Sequence, residues 1–253
     1  MEPTSNCSSA SGGALFAGAA AVMQLVESET LILYHTDLRG QWPEASTQEF
    51  AARLPYARRL RLRGGRAADR ASIAGIALAL RALSRLMHRA VRAGEIVFAP
   101  GQKPQLATTA LAAAAGATGA TGATALAGAT ALVGATAPAG AGPDFSISHS
   151  GPWVGCAAVA HGRVGFDVEL GTHAPRAQWV LREAALKATG EGIRAAPAAR
   201  ELRPSDGRVH WRGESWHVQR VELFAGASAC VVSSLAVREI EARALALAEL
   251  FAP

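Results

Sequence analysis

Residues 145–169 read FSISHSGPWVGCAAVAHGRVGFDVE, and this stretch decides the fold. It divides into three runs rich in β-branched, aromatic and small apolar residues, broken at Gly151-Pro152 and at His161-Gly162. Runs of that length between turn residues read as three successive strands. Downstream, the periodicity predicts a helix over roughly Arg176–Ala188, stopped by Gly190. A hairpin over Val209–Trp211 and Trp216–Phe224 follows, turning at Arg212-Gly213-Glu214. Ala229–Ser233 reads as a further strand, and Leu235–Leu250 as a final amphipathic helix.

Upstream, Thr30–Leu38 (TLILYHTDL) reads as a strand, followed by arginine-rich sequence from Arg53 to Arg66. Asp69 is placed to cap a helix running to about Arg92, with Ile73, Ile76, Ala77, Leu80, Leu83 and Met87 on one face and Gly94 as its stop. Ile96–Ala99 is a short strand and Gly101–Leu106 a turn. Residues 107–142 are nearly all Ala, Gly and Thr. Each interior glycine costs a helix about 1 kcal/mol, and no large apolar face offsets the ordering entropy. A disordered insertion is expected there, and a flexible extension over 1–27, within which Met23 is an alternative start of translation. The ordered remainder forms two blocks, 28–106 and 143–253, each with strands and a long helix. The fold class expected is α+β.

Half of the 253 residues are hydrophobic, enough for a core. The net charge is +5, and Lys103 and Lys187 are the only lysines among 25 basic residues. This balance suits an anionic partner without choosing one. A nucleic-acid-binding role would need a recognition helix, zinc-ligand spacing or interleaved aromatic and basic residues, and none is visible. Three scattered cysteines fit a reducing compartment. The apolar stretch 12–22 is too short and alanine-rich to span a bilayer. A cytoplasmic protein, off the membrane, is expected.

Asp167 and Glu169 sit at i and i+2 in a strand, so both carboxylates share a face opposite Val164, Phe166 and Val168. By spacing alone a solvated strand face is the more ordinary outcome. The alternative is a hard cation between them, since oxygen-only ligands suit magnesium. Glu183 and Lys187, at i and i+4, share a helix face, where a surface salt bridge is the default. The alternative is that Glu183 completes a metal shell and acts as a base while Lys187 faces phosphate. Ser148 and His149 after the first strand, and Lys103 before Pro104, are polar turn residues or phosphate contacts.

FSISHS, VGFDVE and WVLREAALKATGEG, preceded by GQKPQL, closely resemble the ordered motifs of the Sfp-type 4′-phosphopantetheinyl transferases. The resemblance covers nearly all of residues 28–234 except the insertion. It implies a pseudo-dimer of two similar α+β halves with coenzyme A in the cleft between them. It further implies that Asp167, Glu169 and Glu183 bind magnesium and that Glu183 and Lys187 are catalytic. Lys103, Ser148, His149 and, without a motif to anchor it, Arg59 would contact coenzyme A. The implied reaction is transfer of phosphopantetheine to a serine of an acyl or peptidyl carrier protein, releasing 3′,5′-ADP, by a monomer. The sequence departs from the family pattern in three places. Only residues 170–178 separate Glu169 from Trp179, Arg182 stands where lysine is usual, and Gln102 precedes Lys103. The short segment carries a second reading, a relative that binds coenzyme A or a carrier protein without turnover.

Overall fold

The three strands expected across residues 145–169 are present and sort the molecule into layers. The computed structural model describes residues 28–59, 62, 67–99, 102–107, 142–192 and 195–252. The extension 1–27 and the insertion 107–142, apart from its two end residues, lie outside them.

One mixed sheet of four strands is built on β1 (Ser28–Asp37). β5 (Trp153–Val159) pairs antiparallel with β1 on one side and β4 (Asp144–Ser150) pairs with β5. On the other side β10 (Ala236–Ala244) runs parallel to β1. This sheet therefore draws strands from both sequence blocks. The second sheet is antiparallel, in the order β6 (Val164–Leu170), β9 (Ala227–Ser233), β8 (Glu214–Val221) and β7 (Arg208–Trp211). A two-stranded ribbon of β2 (Ile96–Val97) and β3 (Gln105–Leu106) completes the strands; its second half falls in the segment expected to be a plain turn.

Parity assigns each strand residue to a layer. Leu31 and Leu33 of β1, Ala157 and Val159 of β5, Val164, Phe166 and Val168 of β6, and Ala229 and Val231 of β9 form one buried cluster between the sheets. Their alternates, Ile32, Tyr34, Cys156 and Ala158, pack instead with α3 (Ala67–Met87) on the outside of the first sheet. Cys230 and Val232 pack with α4 (Ala174–Thr189) on the outside of the second. Helix, sheet, sheet and helix are thus joined by three apolar layers. Each fully buried aliphatic or aromatic side chain in them contributes about 1.5–3 kcal/mol.

α4 ends as expected, on Gly190 in the left-handed conformation (φ 80°). α3 differs from expectation at both ends. It begins at Ala67, so Asp69 lies buried within its first turn instead of capping it. It stops at Met87, where His88 adopts φ 51° and Ser84 Oγ takes the Val91 N–H, well before Gly94. A helix the sequence did not suggest, α1 (Glu44–Ala52), and the one-turn α2 (Tyr56–Arg59) precede it.

The expected helix over Leu235–Leu250 is not formed. Residues 236–244 are the edge strand β10, and only Leu247–Leu250 (α5) is helical. The register explains the misreading. Glu29 pairs with Val237 but Thr30 with Glu239, so Arg238 is an extra residue in a β-bulge. The bulge puts Val237 and Ile240, three apart, against the same inter-sheet core, which imitates helical spacing. Alanine's preference for helix amounts to tenths of a kcal/mol per residue, less than a ladder extending from Ser28 to His35 supplies.

β4 and β6 are edge strands of different sheets, and side chains join them. The polar residues of one β4 face reach the β6 backbone in sequence. Asp144 Oδ2 accepts from Val164 N at 2.8 Å, and Ser146 Oγ donates to the Phe166 carbonyl at 3.4 Å. Ser148 Oγ accepts from Val168 N at 3.4 Å, and Ser150 Oγ from Leu170 N at 3.2 Å. A side-chain ladder from β4 thus satisfies backbone groups along the β6 edge that would otherwise be left unpaired.

Candidate functional site

Asp167 is the centre of a charged cluster on the α4 side of β6. Its neighbour Gly165 is what brings the helix near. A Cβ added at Gly165 would lie 1.9 Å from the Ala184 carbonyl oxygen and 2.5 Å from Ala188 N, so only glycine lets the α4 backbone rest on β6. That contact places Glu183 and Lys187, one turn apart, over Asp167.

Asp167 is 1 % exposed, which rules out a solvated strand face. Its Oδ1 accepts from Ser148 Oγ at 2.6 Å and from Lys187 Nζ at 2.7 Å. Lys187 also donates to Ser148 Oγ at 3.0 Å and to the Phe166 carbonyl at 3.2 Å. Asp167 Oδ2 is buried without a hydrogen-bond partner. Glu183 lies 4.0 Å from Lys187. Burial, and next the charge of Asp167, push the Glu183 carboxyl up to about 7, against the opposing pull of Lys187. Glu169, one strand period on, accepts from Ser150 Oγ at 2.8 Å and lies 3.7 Å from Arg176 at the start of α4.

The structure therefore brings Asp167, Glu183, Lys187 and Ser148 into direct contact, with Glu169 beside them. Among the described residues no group of three His, Cys, Asp or Glu side chains is drawn close enough to hold a metal ion as it stands. The donor chemistry nonetheless fits a hard divalent cation. The carboxylates offer oxygen only, Asp167 Oδ2 is an orphaned buried acceptor, and burial together with the neighbouring Asp167 charge holds the Glu183 carboxyl up. Asp167, Glu183 and Glu169 are the residues that would hold it.

Other expected residues lie elsewhere. Lys103 is at the far rung of the ladder, where Nζ meets Asp144 Oδ2 at 2.5 Å and the Val164 carbonyl at 2.6 Å. Burial pushes its pKa below the ordinary lysine value, against the pull of Asp144. His149 is exposed at the end of β4; desolvation of part of the ring, and then Lys187, lower its pKa. Arg59 is exposed in α2, and its neighbour Arg58 donates to Ser72 of α3, so this turn docks on the helix of the other sheet. Arg182, at the position where the motif has lysine, turns away from Asp167 to donate to the Arg200 carbonyl.

Sequence reasoning passed over Asp144, Ser146 and Ser150 as a set. Their signal was polar residues at every second position of DFSISHS, a solvated-face pattern that here faces a second strand. A separate cleft of about 530 Å³ opens where β1 and β10 end, walled by His35, Trp153 and Phe224. Trp153 stacks on Phe224 at 4.4 Å and carries Arg39 over its ring at 4.6 Å. It holds no convergent carboxylates. Among the described residues no helix is long and apolar enough to cross a membrane. Neither a scan against protein-family models nor a search of curated proteins returns a match to this chain.

Proposed function

We propose that this protein transfers the 4′-phosphopantetheine arm of coenzyme A to a serine of an acyl or peptidyl carrier protein. The observation that carries the proposal is Asp167: a carboxylate 1 % exposed, with Oδ2 unpartnered, set between Lys187 and a Glu183 whose pKa is about 7. A buried carboxylate in contact with a charged, partly exposed lysine and a second raised carboxyl is a candidate reacting site. One long helix on the outer face of each sheet supports the reading of two similar halves, with coenzyme A lying between them.

Glu183 acts as the base. It stands on the α4 face over Asp167, 4.0 Å from Lys187, where a carboxylate can take the serine proton. The serine oxygen then attacks the phosphorus bearing the pantetheine arm, and the bond to 3′,5′-ADP breaks. Lys187, 27 % exposed, sets its positive charge near the departing phosphate; its three N–H bonds go to Asp167, Ser148 and the Phe166 carbonyl, so it acts there as a fixed charge. Magnesium, when bound, supplies positive charge for the pyrophosphate and the leaving group. Asp167 anchors Lys187 through Oδ1 and keeps Oδ2 unpartnered.

A second reading, binding of coenzyme A or of a carrier protein without turnover, rests on the link between β6 and α4. Gly171, Thr172 and His173 alone connect them, so no further element from this segment covers the site.

The test is mass spectrometry of an apo carrier protein after incubation with this protein, coenzyme A and magnesium, beside a chelator control. A metal-dependent gain of one phosphopantetheine on the serine is expected, and Glu183→Gln should abolish it with the fold intact. No gain across several carrier types, with coenzyme A still bound, would establish the second reading instead. Gel filtration checks the monomer, and fractionation of the producing cells checks the cytoplasmic location.

A further inference from the structure

Two serines on the same face of β4 make the same pair of bonds one strand period apart. Ser148 Oγ accepts the Val168 N–H and donates to Asp167 Oδ1; Ser150 Oγ accepts the Leu170 N–H and donates to Glu169 Oε2. In each case the hydroxyl takes the backbone N–H of residue n+1 on β6 and gives its own proton to the carboxylate of residue n. We infer that Ser148 and Ser150 are positioning residues: they fix the rotamers of Asp167 and Glu169 so that one oxygen of each is left for a cation. The inference rests on the function proposed above and assigns it two residues that act through the carboxylates.

The chemistry leaves little freedom. A hydroxyl has one proton and two acceptor positions. At Ser148 the backbone N–H and Lys187 Nζ take the acceptor positions, so the proton must go to Asp167. With Oδ1 held by Ser148 and Lys187, Oδ2 is the oxygen left over, and it is the unpartnered one. Ser150 in the same way occupies Oε2 of Glu169. Ser146 provides the contrast: it sits one period earlier on the same face but donates to the Phe166 carbonyl and touches no carboxylate. The sheets need the ladder for cohesion at every rung; only the last two rungs also hold side chains of the site. A coenzyme A contact, the role the resemblance suggests for Ser148, would require this hydroxyl to give up a bond it already makes.

The test compares Ser146→Ala, Ser150→Ala and Ser150→Thr with the parent protein, reading Mn²⁺ affinity by electron paramagnetic resonance together with thermal stability. Loss of an outer partner to a metal-ligating carboxylate typically weakens affinity 10- to 100-fold. The expectation is about a tenfold loss for Ser150→Ala, recovery in Ser150→Thr, and no loss for Ser146→Ala, with the two alanine variants alike in melting temperature. Equal Mn²⁺ affinity in Ser150→Ala and Ser146→Ala, with the parent binding normally, would overturn the positioning role and leave the metal site standing. A parent protein that binds no Mn²⁺ would overturn the metal site, and the positioning role with it.

Discussion

Lys187 Nζ stands 2.7 Å from Asp167 Oδ1, and the two differ sharply in exposure: 27 % of the lysine side chain meets solvent against 1 % of the aspartate. The aspartate is the dependent partner. Removing one member of a buried pair leaves an uncompensated charge and costs about 3–5 kcal/mol; with 27 % of the lysine side chain exposed, this case falls somewhat below that range. Lys187→Met should therefore destabilise the protein by roughly 2–3 kcal/mol in urea unfolding. Adding Asp167→Asn should recover much of that, because the amide keeps an oxygen for Ser148 and no charge is left buried. A double variant no more stable than the single one would show that the pair contributes through packing alone.

Glu183 gives the stability of the metal-free protein a characteristic pH dependence. Its folded-state value, about 7, lies above the ordinary 4.5. Between those values the folded state binds more protons than the unfolded one, so stability is full below about pH 4.5 and is lost as pH rises through 7. At about 1.4 kcal/mol per unit the loss is bounded near 3 kcal/mol. Glu183→Gln should match the parent at pH 5 and exceed it at pH 8, with added magnesium closing the gap. Melting curves that keep the same offset at both pH values would remove Glu183 as the titrating group.

Much of this geometry was legible in the sequence, for reasons that differ by residue. Strand parity alone put Asp167 and Glu169 on one face of β6, and helical spacing put Glu183 and Lys187 on one face of α4. Both are local rules, and both hold here. What brings the two faces together is not local: it depends on Gly165 meeting the Ala184 carbonyl, a contact between elements that no periodicity encodes. The ladder was hidden for the same reason, since alternating serines look alike whether they face water or another strand. β10 was misread because a bulge at Arg238 shifts a strand's period to resemble a helix. Asp167, by contrast, was expected at a surface or a metal site, and its burial decides against the surface.

Gly165 offers a direct test of how the site is assembled. A methyl group there meets backbone atoms, which cannot rotate aside, so α4 must move. Overpacking of this kind costs about 1–3 kcal/mol, and here the displaced helix carries Glu183 and Lys187 with it. Gly165→Ala should lose both stability and transfer, whereas Gly94→Ala, where a Cβ meets nothing within 4 Å, should lose neither. Full transfer activity in Gly165→Ala would mean that the helix can back away without disturbing the site.

Lys103 separates a structural role from the ligand contact that the family pattern suggests. Its ammonium is shared between Asp144 Oδ2 and the Val164 carbonyl, and Asp144 also takes the Val164 N–H, so the ion pair closes both backbone groups of one β6 residue. At 12 % and 19 % side-chain exposure the pair is shielded, and losing one partner should cost roughly 2–4 kcal/mol. Lys103→Met is therefore expected to lower stability by that amount while leaving coenzyme A affinity, measured calorimetrically on the folded fraction, within about twofold. Adding Asp144→Asn should return part of the loss, since the amide oxygen still receives the Val164 N–H. A lysine held chiefly for a ligand phosphate would behave the other way round. Stability would change little, and affinity would fall by tenfold or more, because a charge-assisted hydrogen bond contributes about 1.5–3 kcal/mol.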